Sequence, residues 1–475
     1  MILAIDAGTT GVTAVLVDQQ GKITKRGYSE FQQHYPQPGF VEHDLNQIWD
    51  ATLKAVSEVI DFAKEITAIG ITNQRETVGI WDRNTFEPLA PAIVWQDRRT
   101  TKILQDLDAG DWVSKSTGLP LDPYFSASKL RWIALNNKEA WDKVLAGSAV
   151  VGTIDTFLIA KLTGDHLTDA SNASRTQLFD IHTGSWSTEL LNLFEIPESA
   201  LAKVMNSSGN FGRTKDFFGL TVSVSGVAGD QQAALFGQAQ FDVGGAKCTY
   251  GTGAFILQNT GSKAVIQDNG LITTVAWQLD GKLTYANEGS VFVSGAAVQW
   301  LRDELKIISS AAEVEELALT VKDNGGVIFV PALTGLGAPY WIPDARGSVF
   351  GLTRGTERGH LARATLEALA YQVRDVFDAM DASLSSLRVD GGAASNNLLL
   401  QIQADLLQIP IERPSQLEST ALGAAYLAGL GTGLWTMDDL KQISSPETII
   451  QPKSNLDEQY LLWKKAVQAT IEFAS

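Results

Sequence analysis

Cysteine is almost absent from this 475-residue chain. Cys248 is the only one, so no disulfide can form within the chain. Zinc sites built from several cysteine ligands are excluded as well. Such a composition is typical of proteins from reducing compartments, and we predict a cytoplasmic location.

Long apolar runs are also missing. No uninterrupted apolar segment approaches the roughly 18 residues that a membrane span needs. The N-terminus reads "MILAIDAG", and it meets an acidic residue and a turn before any apolar leader pattern can develop. The sequence therefore predicts no membrane insertion.

Positive charge is in the minority. Lys and Arg number 37 against 54 Asp and Glu, which gives a formal net charge of −17. Nucleic acids and anionic membranes both favour clustered Lys and Arg, so we expect no nucleic-acid partner. Any polyphosphate ligand must be held by local features of the chain.

The loops that most often bind nucleotides are absent too. Neither the G-x-x-x-x-G-K-[ST] spacing nor a G-x-G-x-x-G fingerprint after a strand occurs. Instead, "DAGTTGV" follows the first apolar run and "TYGTGAF" follows another about halfway along the chain. Backbone N–H groups of Gly/Thr turns can form anion-binding nests, to which threonine hydroxyls add donors. These turns predict two phosphate-binding hairpins.

The length of the chain exceeds what one hydrophobic core usually serves and predicts two domains. Strand-like and helical segments alternate in both halves, which indicates α/β layers. The second hairpin puts the boundary near residue 240, giving domains 1–240 and 241–475, and residues 436–475 are interpreted as a peripheral helical tail. Because Gly-Thr turns are common in hairpins, duplication and coincidence remain equally open.

Two carboxylates stand next to glycine turns. Asp6 ends the first strand, where a carboxylate can hold Mg²⁺ beside a phosphate. Asp230 begins the helix that follows "GVAG". An aspartate at a helix start is by default an N-terminal cap. The alternative is a general base, which phosphoryl transfer to an alcohol requires, with Gln231 beside it to fix a hydroxyl.

Arg75 and Glu76 are adjacent opposite charges in the strand-like "ITNQRETVGIW". On a regular strand they would face opposite sides, so a local bend is needed if both are to reach one ligand. A solvated edge pair is the commoner alternative. Trp95 and Tyr124 are either core aromatics or a platform for a ligand.

Taken together, the ordered motifs resemble the FGGY carbohydrate kinase family, within the actin-like, ribonuclease-H-like ATPase superfold. The resemblance covers nearly the whole chain. It rests on "DAGTTG", "YPQPGFVEHD", "IGITNQRET", "AIVWQDRRT", "TGLPLDPYFSASKLRWI", "TDASNASRT", "GVAGDQQAALFG", "TYGTGAFILQNTG", "VPALTGLGAPYW", "ARGSVFGLTRGTERGHLARATLE", "LRVDGGAASNN" and "ALGAAYLAGL". It implies an α/β fold of two ribonuclease-H-like domains with a cleft between them.

The resemblance also implies an activity: ATP-dependent phosphorylation of glycerol to sn-glycerol 3-phosphate, with Mg²⁺ as cofactor and a homodimer or homotetramer as the assembly. Asp230 would be the general base, and Asp6 and Asp230 would lie at the metal. The residues implied at the acceptor are Arg75, Glu76, Tyr124, Asp230 and Gln231 for the hydroxyls, and Trp95 and Phe255 for the carbon chain. Those implied at ATP are Gly8, Thr9, Thr10, Gly251, Thr252, Gly295, Gln299, Gly392 and Asn396.

One position departs from the family pattern. Members that act on glycerol usually continue the first turn as D-Q-G-T-T-S-S-R, whereas this chain has Thr13 in place of the arginine. The cation expected near the transferring phosphate is therefore missing from this position. A kinase for another polyol or a ketose is the alternative, and a non-catalytic actin-like ATPase module is a more distant one. The segment "RTKDFFGLTV" lacks the Gly-rich basic loop linked to fructose-bisphosphate inhibition in relatives, so we expect no such control.

Overall fold

Two large mixed sheets, one in each half of the chain, organise the fold. The computed structural model describes residues 1–60, 65–380 and 384–474. Smaller sheets and a layer of helices surround the large ones.

The first half of the chain contains short elements. Its strands are β1 (Ile2–Ala7), β2 (Gly11–Val17), β3 (Ile23–Glu30), β4 (Glu42–His43), β5 (Ala68–Asn73), β6 (Val78–Asp82), β7 (Ala92–Ile93), β8 (Ala149–Thr153), β9 (Leu167–Asp169), β10 (Phe179–Asp180), β11 (Ser185–Trp186), β12 (Lys203–Met205) and β13 (Ser223–Gly229). Its helices are α1 (Leu45–Ser57), α2 (Thr101–Gln105), α3 (Trp112–Thr117), α4 (Ser126–Asn136), α5 (Lys138–Leu145), α6 (Ile154–Thr163), α7 (Ala170–Ala173), α8 (Thr188–Phe194) and α9 (Asp230–Gly237).

The second half has longer strands and helices. Its strands are β14 (Ala246–Tyr250), β15 (Ala254–Gly261), β16 (Ile272–Leu279), β17 (Lys282–Val291), β18 (Ile328–Val330), β19 (Ser348–Phe350), β20 (Leu387–Asp390), β21 (Ile411–Arg413) and β22 (Thr448–Ile450). Its helices are α10 (Gly295–Asp303), α11 (Glu313–Ala318), α12 (Arg358–Met380), α13 (Asn397–Leu407), α14 (Ser419–Gly431), α15 (Met437–Ile443) and α16 (Asp457–Ala474).

The two large sheets repeat one strand arrangement. The first has the order β13-β5-β1-β2-β3, and the second has the order β16-β17-β15-β14-β20-β21-β22. Each sheet contains an antiparallel hairpin, β1 with β2 in the first and β14 with β15 in the second. On its other edge, the first strand of each hairpin pairs with a parallel strand, which is followed by a further parallel strand. Of the two readings of the repeated Gly/Thr turn, this arrangement favours duplication.

Helices α9 and α14 lie between the two large sheets and cross each other closely. A Cβ on Gly423 would lie 1.8 Å from Ala233 O, and one on Gly237 would lie 2.1 Å from Ser419 O. Only glycine permits such an approach of backbones. The sequence predicts that "STALGAAYLAGLGTG" forms a small-residue helix suited to close packing, and α14 confirms this prediction.

Most predicted elements are confirmed. Apolar periodicity predicts helices in "HLARATLEALAYQVRDVFDAMDA" and "NNLLLQIQADLLQ" and a strand in "LRVDGG", and these segments form α12, α13 and β20. The tail after residue 436 differs from the prediction. It contains α15 and α16, but β22 pairs antiparallel with β21 and closes one edge of the second sheet. A three-residue strand carries too little pattern to be recognised. The pattern also predicts a helix in "LNQIWDATLKAVSEVIDFAKE"; its residues 61–64, like residues 381–382 of the helix predicted over α12, lie outside the described residues.

The apolar core follows the sheets. The interior strand β2 is buried along its whole length, as expected for a strand covered on both faces. Within the described ranges, no helix is both long and apolar enough to cross a bilayer.

Candidate active site

The first predicted phosphate turn, Gly8 to Thr10, joins β1 to β2. Two glutamine side chains fix its backbone: Gln74 Nε2 donates to Gly8 O at 3.0 Å, and Gln33 Nε2 donates to Thr9 O at 2.7 Å. In the described parts of the chain, the amide N–H groups of this turn donate no hydrogen bond. Anchored carbonyls and available N–H groups give the turn the form of an anion nest.

The second turn, Gly251 to Gly253, joins β14 to β15, and the start of α10 packs on it. The N–H of Gly295 donates to Gly251 O and that of Ser294 donates to Thr252 O, both at 2.9 Å. A Cβ on Gly295 would lie only 2.6 Å from Gly251 O. Glycine is therefore required here, and the predicted residues of this turn and of α10 come together.

A third glycine turn follows β20. Gly391 has a φ of +84°, and a Cβ on it would lie 2.4 Å from Tyr250 O, directly before the second phosphate turn. Gly392 is exposed beside it. The side-chain oxygen of Asn396 caps α13 by accepting a backbone N–H at 2.8 Å. Gln299 is exposed on α10. Contact of these last three residues with adenosine or phosphate stays a prediction.

Arg75 and Glu76 lie at the bend between β5 and β6. Glu76 has a φ of +60°, and the N–H of Thr77 donates to Arg75 O at 2.6 Å across it, as in a γ-turn. Such a conformation costs a non-glycine residue about 1–3 kcal/mol and often marks a functional site. The predicted local bend is confirmed. Because Arg75 and Glu76 are only 3% and 1% exposed, the solvated edge pair is wrong.

Two charged residues that the sequence analysis missed complete a buried ion cluster. Glu288 on β17 accepts both Nη groups of Arg75, at 2.5 and 2.9 Å. Arg175, which follows α7, donates through Nε to Glu76 Oε1 at 2.6 Å and through Nη2 to Glu288 Oε1 at 3.3 Å. The cluster joins the first large sheet to the second. A lone carboxylate in the β-prone "ANEGSVFV" was the signal that could have indicated it.

The cluster has a definite charge pattern. Burial alone would raise the pKa of Glu288, but the guanidiniums of Arg175 and Arg75 outweigh burial and lower that pKa to about 2. For Glu76, burial prevails over the same two arginines and raises the pKa. Glu288 is thus a permanent anion that fixes Arg75.

Asp230 is the first residue of α9, and the N-cap is Gly229. The default interpretation of Asp230 as the cap is therefore wrong. Its Oδ1 lies 3.1 Å from Arg75 Nε and accepts the N–H of Gln231 at 2.7 Å. The side chain is 28% exposed, unlike the buried cluster behind it. A carboxylate so oriented and accessible can take a proton from a hydroxyl placed against it.

Asp6 lies at the end of β1, opposite Thr13 of β2. Burial raises the pKa of Asp6 to about 8; the charges of Asp230 and Glu418 add to this rise, and Arg26 opposes it. Asp6 and Asp230 are the two carboxylates that the resemblance implies at the metal. Among the described residues no group of three or more potential metal-ligating side chains occurs. Mg²⁺ usually takes only one or two carboxylates together with phosphate oxygens and water, so this pair suits it.

Aromatic rings line the site beside the first turn. Trp95 and Tyr124 pack edge to face with ring centroids 5.5 Å apart. Trp95 Nε1 donates to Thr9 Oγ1 at 3.0 Å, which ties this apolar wall to the first phosphate turn. Tyr124 also lies under the guanidinium of Arg175, 5.8 Å from its ring centroid. Both aromatics are only partly buried, as a ligand platform requires.

Gln231 and Phe255 meet at a buried lysine. Lys247 Nζ donates to Gln231 Oε1 and, at 3.3 Å, to the backbone carbonyl of Phe255. The Phe255 ring is partly exposed on β15. The sequence analysis did not single out Lys247, because one lysine in "AKCTYGTG" reads as an ordinary strand residue.

A second buried lysine holds the segment that carries Tyr124. Lys129 on α4 is 0% exposed, and its ammonium donates to the carbonyls of Pro123, Tyr124 and Phe125 at 2.5, 2.7 and 3.2 Å. The three N–H groups of the ammonium thus bind three successive backbone carbonyls, which fixes the loop before α4.

We expect Lys129→Met to lower the free energy of unfolding by about 3 kcal/mol, because hydrogen bonds to a charged group contribute about 1.5–3 kcal/mol and the carbonyls would be left without partners. Burial lowers the pKa of Lys129 to about 7, so urea unfolding at pH 6, where the ammonium group is charged, measures this. Lys161→Met is the control: its ammonium lies 5.7 Å from the Trp49 ring centroid, and the loss should be about 1 kcal/mol. Equal stability of Lys129→Met and the unmodified protein would contradict the expectation.

Comparison with known proteins agrees with this geometry. Residues 1–237 match the N-terminal domain and residues 246–432 the C-terminal domain of the FGGY family of carbohydrate kinases. The chain therefore belongs to this family.

Among similar proteins, glycerol kinase 2 of Thermotoga maritima is 50% identical over 99% of this chain and 98% of its own length. The glycerol kinase of Thermococcus kodakarensis is 51% identical over 100% of this chain and 97% of its own. The crystal structure of Plasmodium falciparum glycerol kinase with ADP superposes with a TM-score of 0.92 at 38% identity, covering 99% and 98% of the two chains. A ligand-bound xylulose kinase from Lactobacillus acidophilus has a TM-score of 0.87 at 23% identity over 99% and 97%, which supports the shared fold alone.

Proposed function

We propose that the chain catalyses ATP-dependent phosphorylation of glycerol to sn-glycerol 3-phosphate, with Asp230 as the general base. The observation that carries this proposal is the Asp230 carboxylate, 28% exposed and fixed 3.1 Å from Arg75 Nε at the edge of a buried ion cluster. The full-length glycerol kinases described above are its relatives at about 50% identity. Phosphoryl transfer to an alcohol needs such a proton acceptor.

The acceptor pocket has one polar and one apolar side. The hydrogen-bond donors and acceptors for the substrate hydroxyls come from Arg75, Glu76, Tyr124, Asp230 and Gln231. The apolar side consists of the rings of Trp95 and Phe255. A triol has oxygens along one edge and C–H groups along the other, so it fits both sides. A site that pairs each hydroxyl rejects analogues that lack one, because its polar groups would stay unpaired.

The phosphates of ATP would be bound by the two phosphate turns, Gly8 to Thr10 and Gly251 to Gly253. Asp6 and Asp230 would hold Mg²⁺, which when bound offsets phosphate charge during transfer. Asp230 accepts the proton of the attacking hydroxyl, and Arg75 keeps its carboxylate directed at that oxygen. The cluster with Glu288 keeps Arg75 itself from moving.

Thr13 bears on the range of acceptors. It lies opposite Asp6 on β2 and offers no positive charge there. Transfer therefore relies on Mg²⁺ and the two phosphate turns for charge stabilisation. The alternative, a kinase for another polyol or a ketose, keeps the same ATP site and differs only in the acceptor.

The test is release of ADP from Mg·ATP with a panel of glycerol, dihydroxyacetone, erythritol, xylulose, ribulose and gluconate. We expect glycerol to give the highest kcat/KM. Activity on a ketose or a longer polyol with none on glycerol would overturn the assignment of the acceptor. ADP release that no alcohol stimulates would favour the non-catalytic module.

Trp95→Phe is expected to lower kcat/KM for glycerol about fivefold. The ring remains, but the hydrogen bond from Nε1 to Thr9, worth about 1 kcal/mol, is lost. The same assay with varied glycerol measures it. The control is Trp49→Phe. Trp49 lies on α1 and its ring packs on that of Phe217, so this variant should keep the kinetics of the unmodified protein. Unchanged kcat/KM in Trp95→Phe would contradict the expectation that the hydrogen bond from Trp95 to Thr9 contributes to activity on glycerol.

We further propose that residues 1–240 and 241–475 are the two domains and that they close over the substrates to exclude water. The single cysteine, which is buried, agrees with action in the cytoplasm.

A homodimer or homotetramer is proposed as the assembly. The exposed apolar side chains of Leu461, Leu462 and Phe473 share one side of α16 and support it. Light scattering after size exclusion tests the assembly.

A further inference from the structure

Lys247 is a fully buried cation among residues proposed to bind both substrates. It lies on β14, and its ammonium donates to Gln231 Oε1, to Thr249 Oγ1 at 2.9 Å and to Phe255 O at 3.3 Å. A buried charge is unfavourable unless its hydrogen bonds are satisfied. These three acceptors match the three N–H donors of an ammonium group.

The hydrogen-bond pattern defines the charge of this lysine. The amide oxygen of Gln231 and the carbonyl of Phe255 can only accept. The hydroxyl of Thr249 is the third acceptor, at 2.9 Å. An ammonium group has three N–H donors and so satisfies all three acceptors at once. Burial lowers the pKa of Lys247, and the negative charge of the buried Asp390 opposes this.

Lys247 connects the proposed acceptor pocket with the second phosphate turn through these contacts. Gln231 follows the base and belongs to the acceptor pocket. Thr249 lies on β14 just before the second phosphate turn, and Asp390 directly precedes the glycine turn after β20. One ammonium group thus fixes acceptor-binding and nucleotide-binding segments relative to each other.

We propose that Lys247 is a positioning residue for phosphoryl transfer, which holds the side chain of Gln231 and the second phosphate turn in register. This inference rests on the proposed function. It predicts that loss of the ammonium group affects binding of glycerol through Gln231, beyond any effect on folding. The alternative is a buried, hydrogen-bonded lysine that supports folding alone.

The test is a double-mutant cycle with Lys247→Met, Gln231→Leu and the double variant, each assayed for kcat and KM with varied glycerol and with varied ATP. We expect Lys247→Met to lower kcat/KM for glycerol on the order of 10- to 100-fold, since a misplacement of about 1 Å can cost 100-fold. The double variant should be no worse than the more impaired single variant, because both changes remove one interaction.

The control variant is Lys464→Met on α16, whose ammonium contacts Tyr340 and Asp375, outside the proposed site. It should keep unmodified kinetics. Thr249→Val is used if Lys247→Met does not fold; it leaves the lysine in place, removes one acceptor, and should lower kcat/KM for both substrates.

Two outcomes would overturn the inference: additive losses in the double variant, or a Lys247→Met protein with unmodified KM and a lower melting temperature only. Failure of the unmodified protein to phosphorylate glycerol would instead overturn the proposed function.

Discussion

Asp230→Asn should abolish phosphoryl transfer while the fold persists, with kcat lower by on the order of 10²- to 10⁴-fold, the range for loss of a general base. Asparagine keeps the size of the side chain and can still accept the N–H of Gln231, but it takes no proton at neutral pH. Removal of the negative charge also takes away one anionic partner of Arg75 Nε, at 3.1 Å in the unmodified chain. ADP release at saturating Mg·ATP and glycerol measures the loss.

Asp242→Asn is the matched control for this variant. Its carboxylate is 82% exposed and pairs with Lys441 at the surface, so kcat should not change. Circular dichroism and the melting temperature would establish that Asp230→Asn is folded. A folded Asp230→Asn protein with near-normal kcat would contradict the assignment of Asp230 as the base.

Glu288→Gln is expected to be the most destabilising single substitution in the site. It removes the anion between Arg75 and Arg175, all of them at most 3% exposed, and leaves two buried guanidiniums short of negative charge. Breaking a buried ion pair by removal of one partner costs about 3–5 kcal/mol. We also expect kcat/KM for glycerol to fall at least about tenfold, because Arg75 no longer keeps its orientation toward Asp230.

The loss of stability in Glu288→Gln depends on pH. The pKa of Glu288 is lowered from an ordinary 4.5 to about 2 by folding. The carboxylate therefore contributes stability above about pH 4.5, and this contribution disappears as the pH falls towards 2. Urea unfolding between pH 7 and pH 3 should show the difference between Glu288→Gln and the unmodified protein shrinking with acid.

Glu195→Gln is the control for Glu288→Gln, because Glu195 is 65% exposed and pairs with Arg131 at the surface. Its effect on the free energy of unfolding should be at most about 1 kcal/mol. If Glu288→Gln were as stable as this control, the ion cluster would not fix Arg75, and the account of how Asp230 is oriented would fail.

The elements with strong patterns could be predicted from the sequence, and so could the two Gly/Thr turns. Apolar periodicity identifies α12 or α13 without knowledge of their neighbours, and a hairpin turn is local. The bend at Glu76 was also accessible, because two adjacent charges on a strand cannot share a ligand without one.

The partners of those residues could not be predicted. Glu288 reaches Arg75 across 213 positions of the chain, and Arg175 reaches Glu76 across 99. Such contacts depend on the register of β17 and on how the two sheets face each other, which no local pattern encodes. Lys247 was missed because its proposed role depends on its burial, which the sequence does not reveal.

The identity of the phosphorylated product tests the central claim most directly. The purified protein would be incubated with Mg·ATP and glycerol, and the products would be followed by ³¹P NMR and by a dehydrogenase specific for sn-glycerol 3-phosphate. We predict one sn-glycerol 3-phosphate for each ADP, with little inorganic phosphate and little ADP formed when glycerol is omitted. ADP formed together with inorganic phosphate, and no glycerol phosphate, would contradict the account.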